Sequence, residues 1–158
     1  MTPCVVFAGG GSGGHLSPGL AIAERLRTLD PAIRCRFYCS NREIDQTMLD
    51  GAGADFQTIP AVPLSLRPVG LIRFLRGLNH GTRSAVRSLR CDEVSLVLAL
   101  GGFVSAPVVR AARKARVPRM LLNLDAVPGR ANQWVARQCD DVLTAIPLQP
   151  GISLANLS

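Results

Sequence analysis

Cys4-Val-Val-Phe-Ala-Gly-Gly-Gly-Ser-Gly-Gly-His-Leu-Ser-Pro18 decides the fold. Five apolar residues run without interruption into five glycines within six positions, and a helical pattern opens at Ser17-Pro18. A short, wholly apolar run reads as a strand buried on both faces. Strand, loop and helix in that order form the unit of a parallel sheet. The glycines let the backbone pass close to a ligand, and free N–H groups at a helix N-terminus favour an anion such as phosphate or diphosphate. A tight turn alone would need one or two of them. Ser17 is expected to cap the helix and Pro18 to be its first residue.

Outward from this unit the alternation continues. Cys35–Cys39, Phe56–Ile59, Val94–Leu100, Met120–Leu124 and Val142–Ala145 read as strands, and Pro18–Leu29, Arg42–Asp50, Val69–Arg90, Pro107–Ala115 and Arg130–Arg137 as helices. The fold class is α/β, a Rossmann-like parallel sheet with helices on both faces. The chain's 158 residues make one domain, expected over residues 1–147, with 148–158 a linker or tail because the periodicity is lost there. With 47% hydrophobic and 18% charged residues, disorder is excluded. No stretch approaches the roughly 18 apolar residues of a membrane span. The first eight residues lack the basic region and cleavage site of a signal peptide, so a soluble, cytoplasmic domain is expected.

In such a sheet ligands sit outside the carboxyl ends of the strands. A second loop, Gly101-Gly-Phe-Val-Ser-Ala-Pro107, follows the fourth strand, with Ser105 as the expected cap of the next helix. One loop fits a phosphate; two facing the same cleft suggest a diphosphate. Gly9, Gly11 and Gly14 also satisfy a dinucleotide fingerprint, yet the acid it wants at the end of the second strand is replaced by Ser40-Asn41-Arg42. A nicotinamide-dependent oxidoreductase is therefore a rival, with Arg42 available for a 2′-phosphate. The loop has no lysine, so it is not a P-loop. His15, between the glycines and the helix, is a candidate general base, although a histidine bonded to its own loop would look the same.

Cys4, Cys35, Cys39, Cys91 and Cys139 are odd in number and lack metal-ligand spacing, so they read as buried, reduced thiols. The net charge of +7 is almost all arginine, and between Phe56 and Cys91 six arginines meet no acid. At about 100° per residue, Leu71, Leu75, Leu78, Ala85, Val86 and Leu89 share one helix face. Arg73, Arg76, Arg83, Arg87 and Arg90 gather opposite, flanked by Ile72 and Phe74. Either an anionic membrane surface or plain solvent suits this helix. Nucleic acid is not expected, since aromatic residues are 4% and no stacking platform is visible. His80 reads as a surface residue.

The two glycine loops and Ala126-Val-Pro-Gly-Arg-Ala-Asn132, in this order, resemble the MurG family, from Met1 to about Pro147. These glycosyltransferases add N-acetylglucosamine to a lipid-linked sugar in peptidoglycan synthesis, and so serve cell-wall biogenesis, cell division and cell shape. The resemblance implies the N-terminal, acceptor-binding half of a GT-B enzyme, with the donor-binding half absent from this chain. It implies that Gly10, Gly11, Gly101, Gly102, Phe103 and Ser105 hold the acceptor diphosphate. Ser12, Gly13 and Gly14 would face UDP-N-acetylglucosamine, with Asp125 at the donor-contacting position, Asn132 among the diphosphate- or substrate-binding residues and His15 as base. It also turns Leu71, Ile72, Arg73, Phe74, Arg76, Arg83 and Arg87 into a membrane-docking patch. The implied partners are UDP-N-acetylglucosamine, an undecaprenyl-diphosphate-linked acceptor and an anionic membrane, with the protein peripheral on the cytoplasmic face of the inner or plasma membrane. No cofactor and no metal are expected, and no Asp-x-Asp pair is present.

The chain departs from the family at three places. Leu122-Asn-Leu-Asp125 stands for His-Glu-Gln-Asn, Ser12 for threonine, and Glu43-Ile-Asp45 for Gly-x-Glu. The mechanism implied is inverting hexosyl transfer by single displacement, probed by asking whether UDP-N-acetylglucosamine binds this chain alone. A lipid-diphosphate-binding module inactive by itself, a related enzyme with another acceptor, and a sugar-nucleotide epimerase are the alternatives.

Overall fold

The computed structural model describes residues 2–11, 14–64 and 67–157. Among them six strands form one parallel sheet: β1 (Cys4–Ala8), β2 (Arg34–Cys39), β3 (Asp55–Thr58), β4 (Leu96–Ala99), β5 (Arg119–Asn123) and β6 (Asp141–Thr144). The helices between them are α1 (Leu16–Leu29), α2 (Glu43–Gly51), α3 (Pro68–Cys91), α4 (Ser105–Ala115) and α5 (Arg130–Ala136). The elements expected from the sequence are all found, with ends within two residues. The strand order is β3-β2-β1-β4-β5-β6. The chain therefore winds outward from β1 in one direction, crosses back through α3, and continues from β4 in the other.

Both sheet faces are covered, as wholly apolar strands require. Along β1, Val5 and Phe7 point to the layer of α1 and α2, while Cys4, Val6 and Ala8 point to the layer of α3 and α4. Phe7 stacks on Phe37, its register partner in β2, with ring centroids 4.9 Å apart. Tyr38 donates its hydroxyl to Asp92 Oδ2 (2.7 Å), while Arg36 pairs with Asp92 Oδ1 (2.5 Å), so the end of α3 is tied to β2.

α3 packs along α4, but only its second half is covered. Leu78, Thr82, Ala85 and Leu89 are buried, and Gly81 admits the Pro60 carbonyl and the Pro107 ring. The expected apolar stripe is corrected at its other end. Leu71 and Leu75 are exposed, Val86 is half-buried, and Phe74 turns inward onto the core beside α5. Four cysteines are buried as expected, whereas Cys91, at the end of α3, is exposed.

Residues 148–157 fold back onto the sheet edge. Val142 N–H donates to the Asn156 carbonyl (2.8 Å), and the Asn156 amide donates to the Cys139 carbonyl (2.7 Å). Leu154 is buried in the core beside α5. Single apolar anchors such as Leu154 leave no periodic trace in the sequence.

Candidate functional site

The switch in strand order falls between β1 and β4, the two strands followed by glycine loops. Both loops thus leave the carboxyl edge of the sheet side by side, where an open α/β sheet offers its ligand crevice. They touch. Gly102 has φ +76°, and a Cβ there would overlap the Gly10 carbonyl oxygen. Gly11 has φ +105°, and a Cβ there would overlap the ring of Phe103. Glycine is demanded at both positions by conformation and by space. Gly14 is exposed, and no described atom lies within 4 Å of where its Cβ would stand. Ser12 and Gly13 lie outside the described residues.

The first loop is held from a distance. Asp45, fully buried in the first turn of α2, accepts from Gly11 N–H (2.8 Å) and from the Ser40 hydroxyl (2.5 Å) through the same oxygen, Oδ2. Its other oxygen, Oδ1, is buried with no partner among the described residues. Arg42, immediately before α2, donates to the Gly11 carbonyl (2.5 Å) and lies 5.2 Å above the Phe103 ring, a cation–π distance. Asp45 and Arg42 thus hold opposite sides of one glycine, and the exposed guanidinium leaves positive charge at the mouth of both loops. Sequence reasoning weighed Arg42 only for a 2′-phosphate and Asp45 only as a departure from a motif. The missed signal was position: both follow β2, whose carboxyl end adjoins the first loop.

The second loop is held locally. Ser105 does not cap its helix, which begins at Ser105 itself with Val104 as the N-cap. Its hydroxyl instead accepts from Gly101 N–H (3.1 Å) and lies 2.8 Å from the carbonyls of Gly101 and Ala8. The last carbonyl of β1 is thereby joined to the loop after β4. Ser17 is likewise not a cap. α1 begins at Leu16, with His15 in the N-cap position making no side-chain capping bond. The exposed Ser17 hydroxyl lies 3.9 Å from Met48 Sδ.

His15 is half-buried against the second loop. A Cβ on Gly101 would stand 3.3 Å from His15 Nδ1 and 3.1 Å from Asn132 Oδ1, so imidazole and amide converge on one backbone position. Among the described residues the His15 ring has no hydrogen-bond partner. Behind Asn132, its amide reaches Asp125 Oδ2 (3.3 Å) and Asn123 Oδ1 (3.5 Å), and the Asn123 amide donates to the Asp125 carbonyl (2.6 Å). Asp125 is met by amide groups rather than by arginine. Asn123, fully buried at the end of β5, is the part of this cluster that sequence reasoning missed.

Cys39 lies under the site, but burial and then the Asp45 carboxylate push its thiol up to about 12. It is no nucleophile. Of the expected docking residues, Leu71, Ile72, Arg73, Arg76, Arg83 and Arg87 are exposed, and Phe74 is half-buried. No helix among the described residues is long and apolar enough to cross a membrane.

What the arrangement can do chemically is hold an anion between two backbone loops, with one cation above it and one imidazole and one amide beside it. Residues 5–144 match the glycosyltransferase family 28 N-terminal domain. The chain is 34% identical, over 90% of its own length and 36% of the relative's, to a UDP-N-acetylglucosamine–N-acetylmuramyl-(pentapeptide) pyrophosphoryl-undecaprenol N-acetylglucosamine transferase of Mycolicibacterium paratuberculosis. It is 32% identical to the transferase of the same name from Frankia casuarinae, over 95% of this chain and 40% of that one. The crystal structure of Acinetobacter baumannii MurG superposes on 99% of this chain and 44% of its own, with a TM-score of 0.80 at 22% identity. The chain thus spans less than half the length of these relatives.

Proposed function

The chain belongs to the glycosyltransferase family 28 N-terminal domain family, and from that premise we propose that it is the acceptor-binding half of a MurG-like inverting glycosyltransferase. The observation that carries the proposal is the contact of the two glycine loops at the sheet's switch point, with His15 and Asn132 converging on Gly101. Backbone N–H groups of both loops take up the acceptor's diphosphate, and Arg42 supplies the one charge the loops lack. His15 accepts the proton of the acceptor sugar's hydroxyl as that oxygen bonds to the anomeric carbon of UDP-N-acetylglucosamine. The bond from that carbon to the diphosphate oxygen breaks, and UDP leaves with the electron pair. Most of the donor's contacts would come from a domain outside this chain.

The exposed half of α3 would meet an anionic membrane at the cytoplasmic face, with Ile72 and Leu71 entering the interface and Arg73 and Arg76 meeting lipid phosphates. A second reading is favoured at one point. Asp125, with its carboxylate against Asn132, differs from the family's asparagine and suits an altered sugar.

One reconstitution tests the whole proposal. The chain should sediment with anionic vesicles, more firmly when they carry an undecaprenyl-diphosphate-linked sugar. Changing Arg73, Arg76 and Arg87 together to Ala should remove retention by plain anionic vesicles. With a family donor domain supplied, transfer to the lipid-linked sugar should fall about 100-fold or more in His15→Ala. Retention that ignores both the diphosphate lipid and the arginines, or unchanged transfer without His15, would sink it.

A further inference from the structure

Phe103 belongs to two surroundings at once. Its ring lies against Gly11 and beneath the Arg42 guanidinium, at the mouth of the anion-binding loops. The same side chain lines a groove of about 380 Å³ together with Phe74, Leu75 and Leu78 of α3 and Ala131 and Trp134 of α5. Its lining is apolar except for Arg130 at the start of α5, and it is open, with Leu75 49% and Trp134 39% exposed. The other side of α3 differs: Ile72, Arg73, Arg76 and His80 line a separate hollow of about 510 Å³. One helix thus presents cations and apolar residues to one side, and apolar residues alone to the groove.

We propose that this groove receives the lipid chain of the diphosphate-linked acceptor, seating the carbons nearest the diphosphate between α3 and α5. The proposal rests on the diphosphate reading above and adds a subsite to it. The groove reaches the loops through a ring shared by both, so its occupant must be apolar along its length and anionic at that end. A free sugar lacks the first property. A second protein copy would not need to bring an anion to Arg42. Chain length near the diphosphate then becomes a determinant of acceptor choice.

Trp134 is the only tryptophan in the chain and reports on the groove directly. The test is a fluorescence titration of the whole chain with inorganic diphosphate and with farnesyl diphosphate. Farnesyl diphosphate should bind about ten-fold more tightly or better, the gain expected from burying only a few carbons, and should shift Trp134 emission. Inorganic diphosphate should bind without that shift. Leu75→Gln, at an exposed position, and Ala131→Gln on the facing helix should each erase the chain-dependent gain while leaving the affinity for inorganic diphosphate unchanged. If both ligands bind equally and emission stays fixed, the groove proposal is wrong and the diphosphate reading survives. If neither binds, the diphosphate reading fails and takes the groove with it. A dimer in sedimentation equilibrium that Leu75→Gln dissociates would assign the groove to a second copy and overturn the proposal.

Discussion

The two glycine loops look alike in sequence and are built differently. The loop after β4 is tied by Ser105, four residues from Gly101 and part of the helix that follows. The loop after β1 is tied by Asp45 and Arg42, 34 and 31 residues from Gly11 and on the far side of β2. One loop carries its own anchor, and the other borrows two from α2. The second loop's shape is therefore set as soon as its strand and helix form. The first loop's shape waits on a neighbouring unit, and Arg42 and Phe103 make it depend on the second loop as well. The two jaws of the crevice are thus held differently, the second by its own helix and the first through a few side-chain contacts with its neighbours.

The largest expected effect comes from removing the place where the loops meet. Gly102→Ala puts a Cβ against the Gly10 carbonyl at a positive φ, so strain and overlap add, and about 3 kcal/mol should be lost in denaturant unfolding. Diphosphate binding should disappear with it. A loss below about 0.5 kcal/mol would mean that the loops stand apart in solution, and the comparison would lose its basis.

Next in size are the two anchors. Asp45→Ala strands the Gly11 N–H and the buried Ser40 hydroxyl, for a loss of about 2 kcal/mol. Ser105→Ala strands the Gly101 N–H and leaves the Ala8 carbonyl with the Leu100 N–H alone, for about 1 to 2 kcal/mol. Amide hydrogen exchange separates them. Asp45→Ala should speed exchange at Gly11 and spare Gly101, and Ser105→Ala should do the reverse. Equal acceleration at both amides in either variant would show a single cooperative unit in place of two jaws.

The same contrast explains what could be read from the sequence. β1 with its loop, the strand–helix alternation and the second loop were all legible, because apolar runs and glycine clusters are local patterns. Proximity of the loops followed from chain order in a parallel sheet that reverses at β1. Asp45 was not legible as a staple: a carboxylate in the first turn of a helix ordinarily serves that helix. Here it turns to Gly11 because β2 and β1 are register partners, a fact that appears only after pairing. Ser17 and Ser105 misled for the converse reason. Each sits where a cap belongs, but α1 and α4 start earlier, so the Ser105 hydroxyl serves the loop and the Ser17 hydroxyl reaches Met48 of α2. Asn123 ends a strand that runs Met-Leu-Leu before it, and its worth is set by Asp125 and Asn132 across the turn.

The smallest effect on stability, and the sharpest on function, is expected at Arg42. Its guanidinium is exposed, and its bond to the Gly11 carbonyl competes with water, so Arg42→Ala should shift unfolding by no more than about 0.5 kcal/mol. Affinity for inorganic diphosphate should nevertheless fall about ten-fold, because a hydrogen bond to a charged group is worth roughly 1.5–3 kcal/mol and the loops offer only neutral amides. Arg42→Lys restores charge but loses the planar stack on Phe103 and the paired N–H groups, so it should recover only part of the affinity. Full recovery by lysine would make Arg42 a point charge that the first loop happens to hold. No loss in either variant would mean that the first loop would grip the anion with backbone alone, and that its second borrowed anchor serves the loop and not the ligand.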